Sequence, residues 1–421
     1  FKSEPKLGNV KEWDKINQIL SILKSYTWCE LIFPKDIESK NKYSGHILNV
    51  TSSSYPVLVK KQEKYNLNRW ASTGRNDIQI NSKCYKIYQE YIKSNIRSES
   101  LWKELCFLWS SDFRTHITLE RWNNYKRRLD DLYNKNLSPD ENNIHTASSK
   151  KININAKVYN NVDTQVLEAS NDNILLFLDK IKGCSIKNLI FKNVSSKSLL
   201  TSLTHGYFDD IRYSADFFSG HSIIEKYKKN KITDLTLSRP EQKIENDTII
   251  IKNKIENNEV VFINKILICS DKIRLIKETT FNTKDLIYWR PFNFTFNPSV
   301  WNKNLYFKSH NGYSSNETFF IKNQYINYNE TYSSLVTSKY GLGNTEGEII
   351  FGDDTKELLF KVNMTKSALI PKIYHTRVRE KVFLRLSYSG IEFDDTSIKR
   401  SDEDVSIKAE IEISAKAKNK V

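Results

Sequence analysis

Apolar residues recur at helical spacing near the start of the chain, and this pattern predicts an amphipathic helix over residues 10–25. The positions that form the stripe are Val10, Trp13, Ile16, Ile19, Leu20 and Leu23. A short apolar segment, Cys29–Phe33, and a turn at Pro34 follow it. A helix, a short strand and a proline-containing turn are typical of the last unit of an α/β domain. We therefore assign residues 1–60 to the end of such a domain and expect its other units upstream of Phe1.

Three further segments carry apolar stripes at the same spacing. The stripes consist of Ile80, Cys84, Ile87, Tyr88, Tyr91 and Ile92, then Leu101, Leu105, Leu108 and Trp109, then Leu119, Trp122, Tyr125, Leu129 and Leu132. Thr118 is the expected N-cap of the third helix. Short connections predict an antiparallel three-helix bundle over residues 61–135. The polar residues 136–151, with Ser138-Pro139, read as a linker.

From residue 152 onward the pattern changes to the two-residue period of strands. Thr248–Ile255 and Val260–Ile263 predict a hairpin, Leu286–Phe296 predicts one strand, and Val405–Ile413 alternates as a half-buried strand does. Many strands without long helices between them favour a large antiparallel β-sandwich over residues 152–421. The predicted fold class is thus an α+β multidomain protein: the end of an α/β domain, a three-helix bundle and a β-sandwich.

The formal net charge of +15 permits binding to nucleic acid or to acidic glycans. Lysines, however, mix with acidic residues along most segments and form no basic arm, so nucleic acid is an unlikely partner. No apolar run approaches the ~18 residues that cross a bilayer, and we predict no membrane partner. The chain begins with Phe1 and shows no signal peptide, so we expect a processed or truncated product.

The five cysteines are widely spaced and form no C-x-x-C pair, which disfavours a zinc ribbon or a disulfide framework. They are expected to be small buried side chains in a reducing compartment, and we expect a cytoplasmic protein. No P-loop, dinucleotide fingerprint or G-x-S-x-G motif is present, so no cofactor is predicted.

The segment Thr204–His221 concentrates histidines, aspartates and aromatic residues. Its spacing matches no compact metal motif, and we predict no metal. Carboxylates that bind pairs of hydroxyl groups, together with aromatic faces, suit a carbohydrate-facing loop instead. Because Asp209 and Asp210 are adjacent, they would point to opposite sides of a strand, which does not suit the carboxylate pair of a glycosidase.

Two other segments hold candidate chemistry. Asp112 and His116 are four residues apart, so both lie on one face if the second helix continues through them, and Asp112 could then orient His116. The alternative is that the helix ends here and that Asp112 and Arg114 pair with neighbouring elements. Residues 60–77 combine planar arginines with aromatic rings, either for a polar ligand or to tie a loop to the helices. The candidate substrate-binding residues are Arg69, Trp70, Arg75, Asp77, Asp112, Arg114, His116, His205, Tyr207, Asp209, Asp210, Asp216 and His221.

With this order of domains, the chain resembles the region downstream of the catalytic barrel in proteins related to glycoside hydrolase family 57, and its architecture is similar to that of family 38 α-mannosidases. The segments that carry the resemblance are Trp28–Pro34, Lys64–Ala71, Gly74–Asp77, Ser111–His116 and His205–His221. The resemblance implies that residues 1–60 end a (β/α)7 barrel, and that a Glu nucleophile and an Asp acid/base on barrel strands catalyse with retention. Neither carboxylate can be assigned to a residue of this chain.

The sequence therefore predicts the accessory C-terminal portion of a glycan-processing enzyme, which braces an upstream catalytic barrel and shapes its carbohydrate cleft. The expected partners are an oligo- or polysaccharide and that barrel. One alternative is a stand-alone carbohydrate-binding or surface protein. Another is a self-sufficient hydrolase whose acid/base pair comes from Asp112, His116, Asp209 or Asp210. Catalytic residues are not assigned.

Overall fold

In the computed structural model, the chain divides into two compact units, Phe1–Thr51 and Ser52–Val421. The residues that the structure describes are 10–32, 71–72, 74–113, 117–136, 155–161, 163–209, 215–226, 231–282, 287–302, 304–310, 315–321, 344–392 and 404–418.

The first unit contains α1 (Val10–Ser25), with the bounds that the apolar stripe predicts. Cys29–Ile32 form no strand. Several apolar side chains of this unit remain open to solvent: Ile19 is 56% exposed, Ile22 54% and Trp28 79%. An apolar helix face that is left uncovered is characteristic of a segment that packs against a further surface.

Three helices of the second unit share one buried apolar cluster. They are α2 (Asp77–Lys93), α3 (Glu99–Trp109) and α4 (Leu119–Asn136). All three predicted stripes enter the cluster, although Ile92 at the end of the first stripe and Leu119 at the start of the third are exposed. The backbone N–H of Arg121 donates to Thr118 Oγ1 at 3.3 Å, which confirms the predicted N-cap. The antiparallel order of these helices stays a prediction.

The second of these helices ends earlier than the Asp112–His116 spacing requires. The backbone at Ser110 is extended, with φ −65° and ψ 161°, and the following Ser111–Phe113 form a short 3-10 turn. Serine side chains compete for backbone hydrogen bonds and favour such helix ends. Asp112 is exposed in this turn, so the premise of a continuous helix through it is wrong.

Twenty strands are described in the rest of the second unit. They are β1 (Lys157–Asn161), β2 (Val166–Ser170), β3 (Ile174–Asp179), β4 (Ser185–Phe191), β5 (Leu200–Thr201), β6 (Ile223–Lys226), β7 (Lys231–Thr233), β8 (Glu241–Glu245), β9 (Thr248–Glu256), β10 (Val260–Ile268), β11 (Lys272–Asn282), β12 (Ile287–Arg290), β13 (Phe292–Thr295), β14 (Tyr306–Ser309), β15 (Glu317–Phe320), β16 (Glu348–Gly352), β17 (Lys356–Val362), β18 (Ile370–Val378), β19 (Lys381–Ser389) and β20 (Asp404–Ala417).

These strands form four antiparallel sheets. The largest has nine strands in the order β15-β14-β16-β17-β20-β11-β10-β9-β8, and a second has five in the order β1 to β5. Two three-stranded sheets have the orders β12-β6-β7 and β13-β19-β18. The predicted hairpin is confirmed, since β9 pairs with β10 from Val261 opposite Glu256 to Ile268 opposite Ile249.

One apolar core joins all four sheets, as a β-sandwich requires. Strand residues enter it at every second position, as Val260, Phe262, Ile266 and Ile268 do on β10. Ile78 at the start of α2 also belongs to this core, so α2 docks directly on the sheets.

The segment Leu286–Phe296 is not the single strand that its apolar residues predict. β12 pairs with β6, whereas β13 pairs with β19, and Pro291 separates them. Proline has no N–H to continue a ladder, and a change of sheet at this point accommodates it.

Two polar clusters lie within the sandwich. Lys277 Nζ contacts Asp234 Oδ2 at 2.7 Å, and both side chains are at most 4% exposed. Gly183 makes room for this arrangement, because its φ is +66° and a Cβ there would lie 1.8 Å from the carbonyl oxygen of Asp234. In the second cluster, Glu392 accepts hydrogen bonds from Lys372 Nζ and Ser389 Oγ.

A third buried carboxylate makes the fold sensitive to acid. Glu357 accepts from Tyr306, from Lys308 at 3.1 Å and from Lys416 at 2.9 Å. Burial would raise the pKa of Glu357, but these hydrogen bonds outweigh it and lower the pKa from 4.5 to about 2. A carboxyl whose pKa is depressed in the folded state stabilises it above the unfolded pKa, and this contribution is lost as the pH falls through the folded pKa.

We therefore expect the Glu357 contribution, up to about 3 kcal/mol, to disappear between about pH 4.5 and pH 2. Urea unfolding at stepped pH measures it. The Glu357→Gln variant should lose stability less steeply than the parent protein in this window, and equal slopes would contradict the assignment.

Candidate functional site

A row of alternating charges crosses the outer face of the nine-stranded sheet. Glu348 on β16 lies opposite Lys361 on β17, Lys361 lies opposite Glu412 on β20, and Glu412 lies opposite Arg274 on β11. Lys361 Nζ is 2.6 Å from Glu348 Oε1, and Arg274 is 3.6 Å from Glu412 Oε2. The row faces outward because the neighbouring residues Ile349, Phe360, Ile413 and Ile273 all point into the core.

Helix α2 lies beside this charge row and leaves a cleft of about 590 Å³ between helix and sheet, which we call the helix–sheet cleft. Tyr85 donates to Glu346 Oε2 at 3.5 Å, and Ser82 Oγ accepts from the N–H of Ala368 at 3.0 Å. The polar residues that line the cleft are Tyr85, Gln89, Arg274, Asn316, Glu346, Glu348, Lys361, Asn363, Thr365, Glu410 and Glu412.

The lining is acidic although the whole chain is basic. Four glutamates face one arginine and one lysine, which leaves two excess negative charges, against a net charge of +15 for the chain. Such a site repels phosphate groups and favours neutral or cationic ligands.

Glu346 and Tyr85 are the polar pair of the cleft with the most hydrogen-bonding capacity left for a ligand. Burial, and then the Glu346 carboxylate, raise the pKa of Tyr85 to about 12, so its hydroxyl keeps its proton and donates. Glu348, Glu410 and Glu412 are held by Lys361 or Arg274. Within the described residues, Glu346 has Tyr85 as its hydrogen-bond partner and keeps most of its acceptor capacity.

Five of the predicted site residues fall outside the described residues, namely Arg69, Trp70, Arg114, His116 and Asp210. Three others belong to the helical region. The Arg75 guanidinium lies 5.6 Å from the centre of the Trp122 ring, and Asp77 is 2% exposed and accepts from the N–H of Gly74 at 2.6 Å. Asp112 is exposed.

The described part of His205–His221 packs against the β18–β19 hairpin. Tyr207 is 2.9 Å from Ser299 Oγ, and Lys381 lies 4.6 Å above its ring. Asp209 pairs with Arg379, and Asp216 accepts from the N–H of His205 at 2.6 Å. The hairpin therefore contacts both Tyr207 and Asp209, whereas none of the predicted residues appears in the described lining of the helix–sheet cleft.

His221 lies apart from these residues and is 5% exposed. Arg385 on β19 donates to Thr295 Oγ1 at 3.0 Å and approaches His221 Nε2 at 3.5 Å. Burial, and then the Arg385 and Lys277 cations, lower the pKa of His221 well below its ordinary value. His221 is thus uncharged at neutral pH and faces the sandwich interior.

Sequence reasoning missed every residue of the cleft. The only local signal was the alternation of Glu410 and Glu412 with buried Ala409, Ile411 and Ile413, which marks an outward acidic face. The pairing of that face with Lys361, Arg274 and α2 depends on strand order, which no local pattern encodes.

Among the described residues, no helix has both the length and the apolar character needed to cross a bilayer. Within the same ranges, no three His, Cys, Asp or Glu side chains gather as metal ligands. The cysteines are free: Cys84 and Cys184 are buried, as predicted, but Cys29 and Cys269 are only half-buried and Cys106 is exposed on α3.

No protein-family model matches the chain, and no curated protein matches it. It is similar to solved structures at low identity. A galactose mutarotase-like protein from Clostridium acetobutylicum has 8% identity and a TM-score of 0.39, over 62% of this chain and 99% of that one. A family 36 α-galactosidase from Geobacillus stearothermophilus has 9% identity and a TM-score of 0.38, over 62% of this chain and 41% of that one.

A 4-α-glucanotransferase from Thermococcus litoralis has 9% identity and a TM-score of 0.32, over 97% of this chain and 64% of that one. All three structures bear names from sugar chemistry, and none of these names mentions glycoside hydrolase family 57 or 38.

Proposed function

We propose that this chain binds an oligo- or polysaccharide in the helix–sheet cleft. The observation that carries the proposal is a cleft of about 590 Å³ whose lining consists mainly of carboxylate, amide, guanidinium and hydroxyl groups. Small-molecule sites of this size are usually lined by apolar side chains. A polar lining instead suits a ligand that presents hydroxyl groups on most of its surface.

The charge of the cleft further limits the classes of ligand that it can bind. Its two excess negative charges disfavour nucleotides, nucleic acid and sugar phosphates, but not neutral sugars. Carboxylates such as Glu346 accept from two vicinal hydroxyls at once, and Arg274 and Gln89 can donate to others.

We further propose that the chain serves as the accessory part of a glycan-processing enzyme, beside a catalytic barrel. The motif resemblance supports this role, and so do the exposed apolar side chains of Ile19, Ile22 and Trp28 in the first unit. In this proposal residues 1–60 end the barrel, and residues 61–135 form a three-helix bundle that precedes the sandwich in the chain.

A stand-alone carbohydrate-binding protein is the second candidate, and the ion pairs of the cleft favour binding over catalysis in the chain itself. Three of the four cleft glutamates are held by cations. If the purified chain cleaved the glycan that it binds, the self-sufficient hydrolase would replace both proposals.

The test is an isothermal calorimetric titration of the purified chain with neutral oligosaccharides. We expect Glu346→Gln to weaken binding about tenfold or more, because a hydrogen bond to a charged acceptor contributes about 1.5–3 kcal/mol. The matched control is Glu245→Gln, since Glu245 lies on β8 in an exposed pair with Lys243. Equal affinities of the Glu346 variant and the parent protein would rule out the cleft as the site.

A further inference from the structure

A second row of side chains crosses the outer face of the five-stranded sheet, far in sequence from the cleft residues. Tyr159 on β1 lies opposite Glu168 on β2, Glu168 lies opposite Phe177 on β3, and Phe177 lies opposite Asn188 on β4. The same outward face therefore presents aromatic, acidic, aromatic and amide groups in turn, and we call this row the aromatic platform.

A β-bulge adds a fifth group to the platform. Phe177 pairs with Asn188, but the next residue, Leu178, pairs with Ile186, so Lys187 is the extra residue of the bulge. Lys187 and Asn188 consequently line the same groove side by side, instead of pointing to opposite faces. Bulges re-aim side chains in this way and occur often next to functional sites.

The platform forms a shallow groove of about 270 Å³. Tyr159 is 64% exposed, and Phe177 is half-buried. Because the two rings lie two strands apart, their separation is about 10 Å. Linked pyranose rings offer apolar C–H faces at regular intervals, which can lie flat on such a pair of aromatic side chains.

The polar groups of the platform line the groove and can bind a ligand. Thr201 Oγ1 lies 3.0 Å from Asn188 Oδ1 and 2.9 Å from the carbonyl oxygen of Lys187, which holds the Asn188 amide beside the groove. Glu168 and Lys187 both line the groove and carry charges of opposite sign. One carboxylate and one ammonium leave the platform with no net charge, so its chemistry fits a neutral ligand.

We propose that the aromatic platform is a second carbohydrate-binding site, which holds a neutral glycan chain by stacking on Tyr159 and Phe177. Glu168 accepts from the sugar hydroxyls, and Lys187 and Asn188 donate to them. This site is on a different sheet from the helix–sheet cleft and does not depend on it. Two sites on one chain would hold a polysaccharide at a surface while a separate segment occupies the cleft.

The experiment is calorimetric titration of the full chain with maltohexaose, cellohexaose, mannohexaose and xylohexaose. We expect Tyr159→Ala to weaken platform binding about tenfold, which corresponds to about 1.4 kcal/mol. Tyr159→Phe should keep most of the affinity, since the stacking ring is retained. Phe320→Ala is the matched control, because Phe320 is also exposed, at 65%, but lies on β15.

The two sites are separated by the stoichiometry of the titration. If both exist, Tyr159→Ala weakens one class of sites about tenfold and Glu346→Gln weakens the other. If only the platform binds, one class of sites is seen, Glu346→Gln leaves its affinity unchanged and Tyr159→Ala weakens it about tenfold, which overturns the cleft alone. Parent-like binding by Tyr159→Ala and Phe177→Ala would overturn the platform. A dimer that Tyr159→Ala dissociates in sedimentation would also overturn it, because the face would then bind a second copy.

Discussion

Replacing Glu392 with alanine is expected to lower the free energy of unfolding by about 3–5 kcal/mol, because it leaves buried cations without their carboxylate. Lys372 and Arg290 both contact Glu392 Oε1, and the side chains of Glu392 and Lys372 are at most 4% exposed. Burial would raise the pKa of Glu392, but these two cations lower it to about 2. The carboxylate is therefore charged at neutral pH and is held by full ion pairs.

Urea unfolding at neutral pH measures this loss, and Glu245→Ala serves as the control. Glu245 pairs with Lys243 at 2.6 Å, but both side chains are more than half exposed. Exposed pairs contribute about 0–1 kcal/mol, so the control should unfold almost as the parent protein does. Similar losses of unfolding free energy in Glu392→Ala and Glu245→Ala would show that the Glu392 cluster is open to water.

Asp234→Ala is expected to have an effect of the same size, about 3–5 kcal/mol, at the other buried pair. Asp234 accepts from Lys277 at 2.7 Å, from Asn264 at 3.0 Å and from the N–H of Ser222 at 2.8 Å. Without it, Lys277 keeps only Ser222 Oγ as a described partner, at 3.0 Å.

A double variant and a pH series distinguish lost charge pairing from lost packing. Asp234→Leu with Lys277→Met should recover much of the stability, because apolar residues can replace a buried ion pair. Burial already lowers the pKa of Lys277, and Asp234 opposes this. In Asp234→Ala the unfolded lysine binds a proton that the folded one gives up, so stability should rise with pH. A loss that does not change with pH would indicate packing alone.

The elements that the sequence predicts well are those whose signal is local. The stripe from Val10 to Leu23 gives α1 with its bounds, and the alternation in Val405–Ile413 lies inside β20. Both patterns report which face of a single element is buried, and this requires no knowledge of its neighbours.

The errors arise where the decisive contact is remote in sequence. Leu286–Phe296 reads as one strand, yet its two halves pair with β6 and with β19. The polar residues around His221 read as a binding loop, but His221 itself is buried against Arg385.

The candidate sites show even more strongly that local patterns do not predict contacts between residues remote in sequence. The helix–sheet cleft takes residues from α2, β11, β16, β17 and β20, and the platform depends on one register shift between β3 and β4. Each contributing residue is an ordinary outward-facing polar or aromatic residue in its own strand. Strand order alone brings them together, so no motif of fixed spacing could reveal them.

Strand order also has a consequence for folding during translation. β20 is the last described strand in the chain, yet it sits near the middle of the nine-stranded sheet, between β17 and β11. During translation, the half that contains β8 to β11 and the half that contains β14 to β17 each have an open edge facing the gap. Such edges pair readily with other chains. Both edges therefore stay open until residues 404–417 leave the ribosome, so this strand is the one that completes the nine-stranded sheet.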